Sequence, residues 1–310
     1  MSARRFSIEP VGPFDLSRSI GFLESWPATR RPAEGDDVLR FTYCAEHDWQ
    51  PVGVRVAQAG DQVEVAVMGP GCDEESVPAQ VARILSLDVD STGIDDIAAR
   101  DPIVARLVAD SPGLRPVCFW SPWEAACWAV LTQRSSMRTA SMQKQRIADA
   151  YGAVVTVDGR ELRAFPGPRE VLAAPSLPSV DPVRTTRIRD LATAALDDTL
   201  TAATLRAMPT EEALAALQEL PGIGAFSAGL VLIRGAGAPD VFTTSEPRLL
   251  TAVRTAYGLS EGAALDSYRD LAQRWRPLRS WVSFWLRAAT GYATPVSRSP
   301  RRADPPRTRR

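Results

Sequence analysis

The chain has 310 residues but only one histidine, His47. A Ser-His-Asp triad and a histidine-rich metal site both need imidazole groups near the reacting atoms, so neither kind of site is expected. The four cysteines are scattered without a Cys-x-x-Cys pair, and so predict neither a disulfide framework nor a zinc site. We therefore expect no metal, and carboxylates remain for the acid–base chemistry. The cysteines are Cys44, Cys72, Cys118 and Cys127.

Long apolar runs are also lacking. No run approaches the roughly 20 residues that span a bilayer, and residues 1–6 lead into polar sequence rather than the apolar core of a signal peptide. We therefore expect a cytoplasmic protein. Hydrophobic residues make up 45% of the chain and charged residues 24%, which is typical of globular proteins with packed cores.

Lysine is almost absent, since Lys144 is the only one. The formal net charge is −1, but arginine is concentrated at the C-terminal end, where residues 298–310 carry six arginines against the single acid Asp304. This composition predicts a disordered basic tail over residues 293–310 that helps to hold phosphate groups. A solvated end without a function is the alternative.

The first hundred residues have the pattern of a small antiparallel sheet. Residues 38–43, 52–56 and 63–67 alternate apolar and polar side chains, after a short extended run at 6–9 and a helical pattern over 14–26. The pattern predicts a β-α-β-β-β sheet with one polar face.

The rest of the chain is predicted to be helical. Asp101-Pro102 has the residues of an N-cap and a first turn, and Ser121-Pro122-Trp123-Glu124 combines a capping box with a proline at the first helical position. The fold class is thus α+β, with an N-terminal sheet domain over 1–100 and an all-α region over 101–292. Further helices are predicted at 183–196, 211–220, 225–235, 246–257, 265–275 and 280–290.

The most informative motif is a helical hairpin at residues 211–230. An amphipathic helix stops at Leu220-Pro221, turns through Gly222-Ile223-Gly224 and restarts at Ala225. The glycines permit positive φ and close approach of a ligand, and the new helix presents its positive N-terminal end. A DNA phosphate can be held there by backbone amides, with a monovalent cation as an optional bridge. A tight turn without a ligand is the alternative.

This hairpin and the loop that follows it resemble those of the AlkA-type 3-methyladenine DNA glycosylases of the helix-hairpin-helix superfamily. The likeness runs from Phe6 to about Tyr292 and is carried by residues 121–133, 220–224, 240–242 and 275–281. It implies a two-part helical core with a cleft between the parts. It also implies a monomeric, nucleoid-associated enzyme that flips an alkylated base out of duplex DNA and hydrolyses its glycosidic bond.

The resemblance assigns the chemistry to one carboxylate. The family has an aspartate at the position of Glu246, where a fixed anion stabilises the positive charge that develops on the sugar. A glutamate that only complements the helix dipole is the alternative. Bifunctional relatives carry a lysine nucleophile at the position of Phe226, so a monofunctional enzyme is expected. No cysteine follows Cys127, so the iron–sulfur cluster of some relatives is not expected.

The resemblance also predicts the pocket. Phe226, Leu230 and Arg287 align with aromatic positions that stack on cationic bases. Because a guanidinium repels a cationic base, the pocket prefers neutral lesions or Arg287 points elsewhere. Phe226 and Leu230 as ordinary core residues are the alternative.

Gln133 and Arg134 belong to the loop that fills the gap left by the flipped base, with Arg134 in place of a leucine wedge. A solvated loop arginine is the alternative. Together with Gly222, Ile223, Gly224 and Ala225 they are the predicted DNA contacts.

Two other functions stay open. A paralogue that recognises lesions without excising them would keep the fold and the DNA contacts. A helical interaction module that uses the hairpin structurally would not bind DNA in a salt-dependent way.

Overall fold

A computed structural model describes residues 3–29 and 35–292, with the side chains of 291 and 292 outside the description. The first part of the chain forms a four-stranded antiparallel sheet of β1 (Arg4–Ile8), β2 (Val38–Cys44), β3 (Pro51–Ala59) and β4 (Gln62–Met68). The strand order is β1-β4-β3-β2, and helix α1 (Leu16–Ser25) follows β1. The β-α-β-β-β order predicted from the alternating pattern is confirmed. The predicted basic tail at 293–310 lies outside the described residues.

Helices dominate the rest of the described chain, and the predicted α+β class is confirmed. Five α-helices follow the sheet in the chain: α2 (Ser76–Ile84), α3 (Gly93–Arg100), α4 (Pro102–Asp110), α5 (Pro122–Leu131) and α6 (Met137–Tyr151). Four lead to the hairpin: α7 (Pro168–Ala173), α8 (Pro182–Leu196), α9 (Ala202–Ala207) and α10 (Thr210–Gln218). The last four are α11 (Ala225–Leu230), α12 (Pro247–Tyr257), α13 (Leu265–Gln273) and α14 (Arg279–Arg287), with π-helical turns at Val231–Gly235 and Ala288–Tyr292.

The predicted helix starts agree with the observed caps, except in one detail. Asp101 Oδ1 accepts from the N–H groups of Ile103 (3.1 Å) and Val104 (3.4 Å), and Ser121 Oγ accepts from the Glu124 N–H at 3.1 Å. In a full capping box the Glu124 carboxylate would turn back to Ser121. It lies instead 2.9 Å from Lys144 Nζ, because α5 is buried along its whole length and the carboxylate needs a cation there.

The sequence predicted an all-α region over 101–292, but this region also contains two strands. Residues Val154–Val157 (β5) and Arg160–Arg163 (β6) form an antiparallel hairpin. The turn residues Asp158 and Gly159 have φ of 48° and 75°, the positive values that a tight two-residue hairpin turn requires. The prediction of an all-α region was therefore wrong at this hairpin.

The β5–β6 hairpin covers part of the sheet face that was predicted to be polar. A Cβ on Gly53 would lie 2.6 Å from Val157 Cγ2 and 2.7 Å from Val155 Cγ1, so only glycine fits beneath it. Asp158 Oδ2 accepts from Arg40 Nε at 2.8 Å and lies 3.1 Å from Arg55 Nε. Two arginines of this face, Arg40 and Arg55, are thus paired with the hairpin.

Buried arginine holds the loops around this core together. Arg115 is 1% exposed and donates to the carbonyl oxygens of Val11, Gly12, Pro13, Ser86 and Val89 at 2.7–3.1 Å. Burial lowers the pKa of this guanidinium to about 10, so it remains charged at neutral pH. Five carbonyl groups from two separate loops are therefore satisfied by one side chain.

Candidate functional site

In the hairpin between α10 and α11, one of the two glycines has positive φ and the other is extended. Gly222 has φ of +87°, which strains any residue with a Cβ. Ile223 is 4% exposed and anchors the turn in the core, and its N–H donates to the Leu220 carbonyl at 3.0 Å. Gly224 precedes α11 in extended backbone, with no atom within 4 Å of the position of a Cβ. The first N–H groups of α11 have no acceptor within the helix, so the exposed start at Ala225 can receive an anion.

Helix α11 carries the predicted pocket residues one turn apart. Phe226 is 47% exposed, so its ring is not packed in the core, whereas Leu230 is half-buried. The alternative that both are ordinary core residues is therefore wrong for Phe226. A π-helical turn, Val231–Gly235, continues α11, and a Cβ on Gly235 would lie 2.9 Å from Pro122 Cα. This close approach seats the pocket helix against the start of α5.

The loop at 240–246 lies beside α11. A Cβ on Gly229 would be 3.0 Å from Thr243 Cγ2, so the loop packs against the pocket helix. Asp240 anchors its start, because Arg279 Nε and Arg276 Nη1 donate to this carboxylate at 2.7 and 3.1 Å. Sequence reasoning did not assign this role to Asp240. Its carboxylate is already paired with two guanidinium groups and belongs to the framework of the loop.

Glu246 ends this loop and precedes α12. Its backbone is extended, with φ of −102° and ψ of 100°, and its side chain makes no capping hydrogen bond. Its carboxylate therefore does not hold the free N–H groups of α12, as a capping residue would. The side chain of Glu246 is 28% exposed, so it stays partly accessible to solvent.

The structure brings two predicted site residues together, because Arg287 Nε donates to Glu246 Oε1 at 2.6 Å. Arg287 Nη1 also donates to Thr290 Oγ1 at 3.1 Å, and its side chain is 15% exposed. The sequence left open whether Arg287 shapes the preference of the pocket or points elsewhere, and its guanidinium lies against the predicted catalytic carboxylate. The pair joins α14 to the start of α12 and offsets the charge of the predicted catalytic group.

Arg234 is a second guanidinium near this carboxylate, and sequence reasoning missed it. It lies 4.3 Å from the ring centroid of Trp26 and 5.2 Å from that of Phe284, and Nε donates to the Val117 carbonyl at 3.1 Å. Burial lowers its pKa to about 10, while the Cys118 thiol and the Glu246 carboxylate oppose this shift. Arg234 therefore stays charged at neutral pH. The only sign of this role in the sequence is its spacing, because Arg234 follows the predicted pocket residue Leu230 by four positions.

The α5–α6 loop contacts the hairpin directly. Gln133 Nε2 donates to the Gly222 carbonyl at 2.6 Å, and Gln133 Oε1 accepts from Arg187 Nη1 at 2.7 Å. The next residue, Arg134, is exposed and has φ of +51°. Arg187 was not predicted from the sequence, although its spacing from Arg184 on α8 places both arginines on one helix face.

The predicted site residues thus form two groups that share α11. The hairpin, Gln133 and Arg134 lie at its N-terminal end, while Glu246 and Arg287 lie beside the loop that packs on its body. Among residues 3–29 and 35–292, no group of three or more His, Cys, Asp or Glu side chains could hold a metal ion. Within the same residues, no helix is long and apolar enough to cross a membrane.

Known proteins share this fold and parts of the sequence. No family model matches the chain. It is 29% identical over 233 residues to the probable bifunctional transcriptional activator/DNA repair enzyme AlkA of Mycobacterium tuberculosis, a match that covers 74% of this chain and 46% of that protein. It is 32% identical over 189 residues to DNA-3-methyladenine glycosylase 2 of Escherichia coli, covering 58% of this chain and 61% of that protein.

Among solved structures, the 3-methyladenine DNA-glycosylase of Archaeoglobus fulgidus matches with a TM-score of 0.75 and 21% identity, over 91% of this chain and 97% of that one. The chain is therefore similar in sequence to AlkA and DNA-3-methyladenine glycosylase 2 proteins, and it shares the fold of the A. fulgidus enzyme. These comparisons agree with the resemblance that the sequence motifs indicated. The chain spans about half the length of its M. tuberculosis relative.

Proposed function

We propose that the chain is a monofunctional DNA glycosylase that hydrolyses the N-glycosidic bond of alkylated bases flipped out of duplex DNA. The observation that carries the proposal is the position of Glu246, a partly exposed carboxylate at the end of the loop that packs on α11. Helix α11 presents Phe226 and begins at the glycine hairpin. The names of the M. tuberculosis and E. coli relatives, a DNA repair enzyme and a DNA-3-methyladenine glycosylase, support the same activity.

In the proposed reaction, the hairpin amides and the start of α11 hold a backbone phosphate without reading the sequence. The flipped base lies against the exposed ring of Phe226. The bond between the sugar C1′ and the base nitrogen breaks with its electron pair going to the base. Glu246 stabilises the resulting positive charge on the sugar, and water then adds to C1′ with loss of a proton.

Strand cleavage is not part of the proposal. A lyase step needs an amine that forms a Schiff base, and Phe226 occupies the position of the family's lysine. Lys144, the single lysine of the chain, pairs with the buried Glu124 at 2.9 Å. A monovalent cation at the hairpin remains a prediction. Such a cation would bind backbone carbonyl groups of the hairpin. One of them, the carbonyl of Gly222, already accepts a hydrogen bond from Gln133.

A second candidate is a paralogue that binds lesions without excising them. The ion pair of Glu246 with Arg287 favours it, because a paired carboxylate offers less stabilisation to a cationic sugar. Excision assays on a methylated duplex, with DNA binding measured on the same preparation, decide between the two. Release of free base supports the glycosylase, and tight binding without release supports the paralogue. A domain boundary near residue 100 between the sheet domain and the helical region, a two-part helical core within 101–292 and a monomeric state also remain proposals.

A further inference from the structure

A chain of two hydrogen bonds joins α8, the α5–α6 loop and the hairpin. Arg187 on α8 donates to Gln133 Oε1 at 2.7 Å, and Gln133 Nε2 donates to the Gly222 carbonyl at 2.6 Å. These partners fix the orientation of the Gln133 amide. If the amide were turned over, its NH₂ group would face the guanidinium, and its oxygen would face the carbonyl.

Arg187 also covers the hairpin with the apolar part of its side chain. A Cβ on Gly222 would lie 2.6 Å from Arg187 Cδ and 3.1 Å from Arg187 Nε. The side chain therefore lies directly over the Gly222 α-carbon while its guanidinium holds Gln133. Both side chains are half-buried between the loop and the hairpin.

The loop tip next to Gln133 has a conformation that its neighbours must hold. Arg134 has φ of +51°, which costs a residue with a Cβ on the order of 1 kcal/mol or more. Thr132 Oγ1 donates to the Trp128 carbonyl at 3.0 Å on one side, and Ser136 Oγ accepts from the Thr139 N–H at 3.1 Å on the other. Gln133 adds the contact that ties this tip to the hairpin.

We propose that Arg187 is a positioning residue that couples the grip on the DNA backbone to insertion of the loop tip into the duplex. The inference rests on the proposed function, in which the hairpin holds a phosphate and Arg134 fills the gap left by the flipped base. A hairpin seated on its phosphate fixes the Gly222 carbonyl, which fixes Gln133, and the tip at Arg134 follows. Arg187 holds the Gln133 amide that links the hairpin to the loop tip. In this role Arg187 needs no contact with DNA.

The test uses the full chain and a duplex with an abasic-site analogue next to 2-aminopurine, whose fluorescence rises when it is unstacked. The variants are Arg187→Met, Gln133→Met and the double variant, because methionine has the length of glutamine, retains most of the apolar stem of arginine and removes the hydrogen bonds of both. Gln133→Glu retains an acceptor for Arg187 but cannot donate to the Gly222 carbonyl. Arg189→Met is the matched control, since it removes a cation from α8 that contacts the Ala174 carbonyl and not Gln133.

We expect each single variant, including Gln133→Glu, to lower the unstacked population about five- to tenfold at saturating protein, the size of effect of one lost hydrogen bond. The double variant should be no worse than the single ones, because both methionines break the same chain of bonds. The slope of log Kd against log salt concentration should be the same for Arg187→Met as for the wild type. Arg189→Met should unstack the probe as the wild type does.

Additive losses in the double variant would overturn the coupling. A salt slope that falls by about one in Arg187→Met alone would also overturn it, since that result means a direct phosphate contact. An absent signal in the wild type would exclude insertion of the tip and with it the proposal. Excision of a methylated base is measured separately. Its absence would contradict the proposed function, while the abasic duplex would still report the coupling.

Discussion

Arg287 Nε lies 2.6 Å from Glu246 Oε1, although the two residues are 41 positions apart in the chain. The group that we propose to stabilise a cationic sugar is therefore already opposite a cation. Its effective charge depends on whether this pair persists when a nucleotide is bound. The pair also explains how a glutamate fits here, because its side chain reaches far enough from the start of α12 to meet α14.

Glu246→Gln tests the proposed catalytic anion. The amide retains the size of the side chain and removes its charge, so single-turnover excision should slow about a hundredfold or more while DNA affinity stays nearly constant. Rapid-quench assays on a methylated duplex measure the rate. Glu9→Gln, a change at an exposed glutamate, is the control and should match the wild type. Equal rates for Glu246→Gln and the wild type would remove Glu246 from the mechanism.

Arg287→Gln tests how the guanidinium acts on the choice of base. Without it, no guanidinium at this position offsets the charge of Glu246 or repels a cationic base, an effect of about 1 kcal/mol at a partly exposed site. The ratio of excision rates on cationic 7-methylguanine and on a neutral ethenoadenine lesion should therefore rise about fivefold. Arg106→Gln, with 82% of its side chain exposed, should leave the ratio as it is. An unchanged ratio in Arg287→Gln would exclude this role.

Two glycine substitutions separate folding from phosphate binding at the hairpin. Gly224→Ala meets no atom within 4 Å, so we expect an unchanged or slightly raised free energy of unfolding but about tenfold weaker DNA binding, because the methyl group stands where the phosphate approaches. Gly222→Ala should lower both the free energy of unfolding and the affinity for DNA, because alanine is strained at φ +87° and its Cβ would lie 2.6 Å from Arg187 Cδ. Urea unfolding and fluorescence anisotropy measure the two quantities. Undiminished binding by Gly224→Ala would argue against the phosphate site.

The product should be a free base and an uncut strand. With Phe226 in place of a lysine, borohydride should not trap the protein on abasic DNA, whereas a lysine-dependent glycosylase treated in parallel should be trapped. Gel analysis of both reactions gives the answer. A covalent complex with the wild-type chain would show that the enzyme is not monofunctional.

Lys144→Met should destabilise the fold, by about 3–5 kcal/mol, because it leaves the buried Glu124 without its cation. Burial raises the pKa of Glu124, while Lys144 opposes the rise. A carboxyl with a raised pKa in the fold stabilises at low pH and loses that contribution as pH rises through this pKa. The destabilisation should therefore be smaller at pH 5 than at pH 7.5. Urea unfolding measures it, and the double variant with Glu124→Gln should remove the dependence on pH.

Features that lie close together in the sequence were predictable. Alternation of apolar residues with a period of two gave the order of the sheet, and Pro221 with two spaced glycines gave the hairpin. Asp158-Gly159 carried the signal of the β5–β6 hairpin, but its strands of four residues each lie between helical segments, so the signal was missed. Local patterns therefore predicted most elements and the loops that carry the site.

Contacts between distant residues were not predictable in this way. The pairing of Arg187 with Gln133 and that of Glu246 with Arg287 depend on how helices pack, and a single sequence does not show which charged side chains will meet. The exposure of Phe226 has the same origin. An apolar residue on an amphipathic helix is expected to face the core, and only the packed structure shows that its ring is left on the surface.

The β5–β6 hairpin also decides when this chain can finish folding. Arg40 and Asp158 are 118 residues apart, so the sheet gains its cover only after the chain has been made as far as β6. Until then, the sheet face around Gly53 lacks the hairpin valines that cover it, and the uncovered sheet can associate with other chains. A fragment that ends near residue 100 should therefore aggregate during expression. A fragment that continues past Arg163 carries the hairpin that covers the sheet.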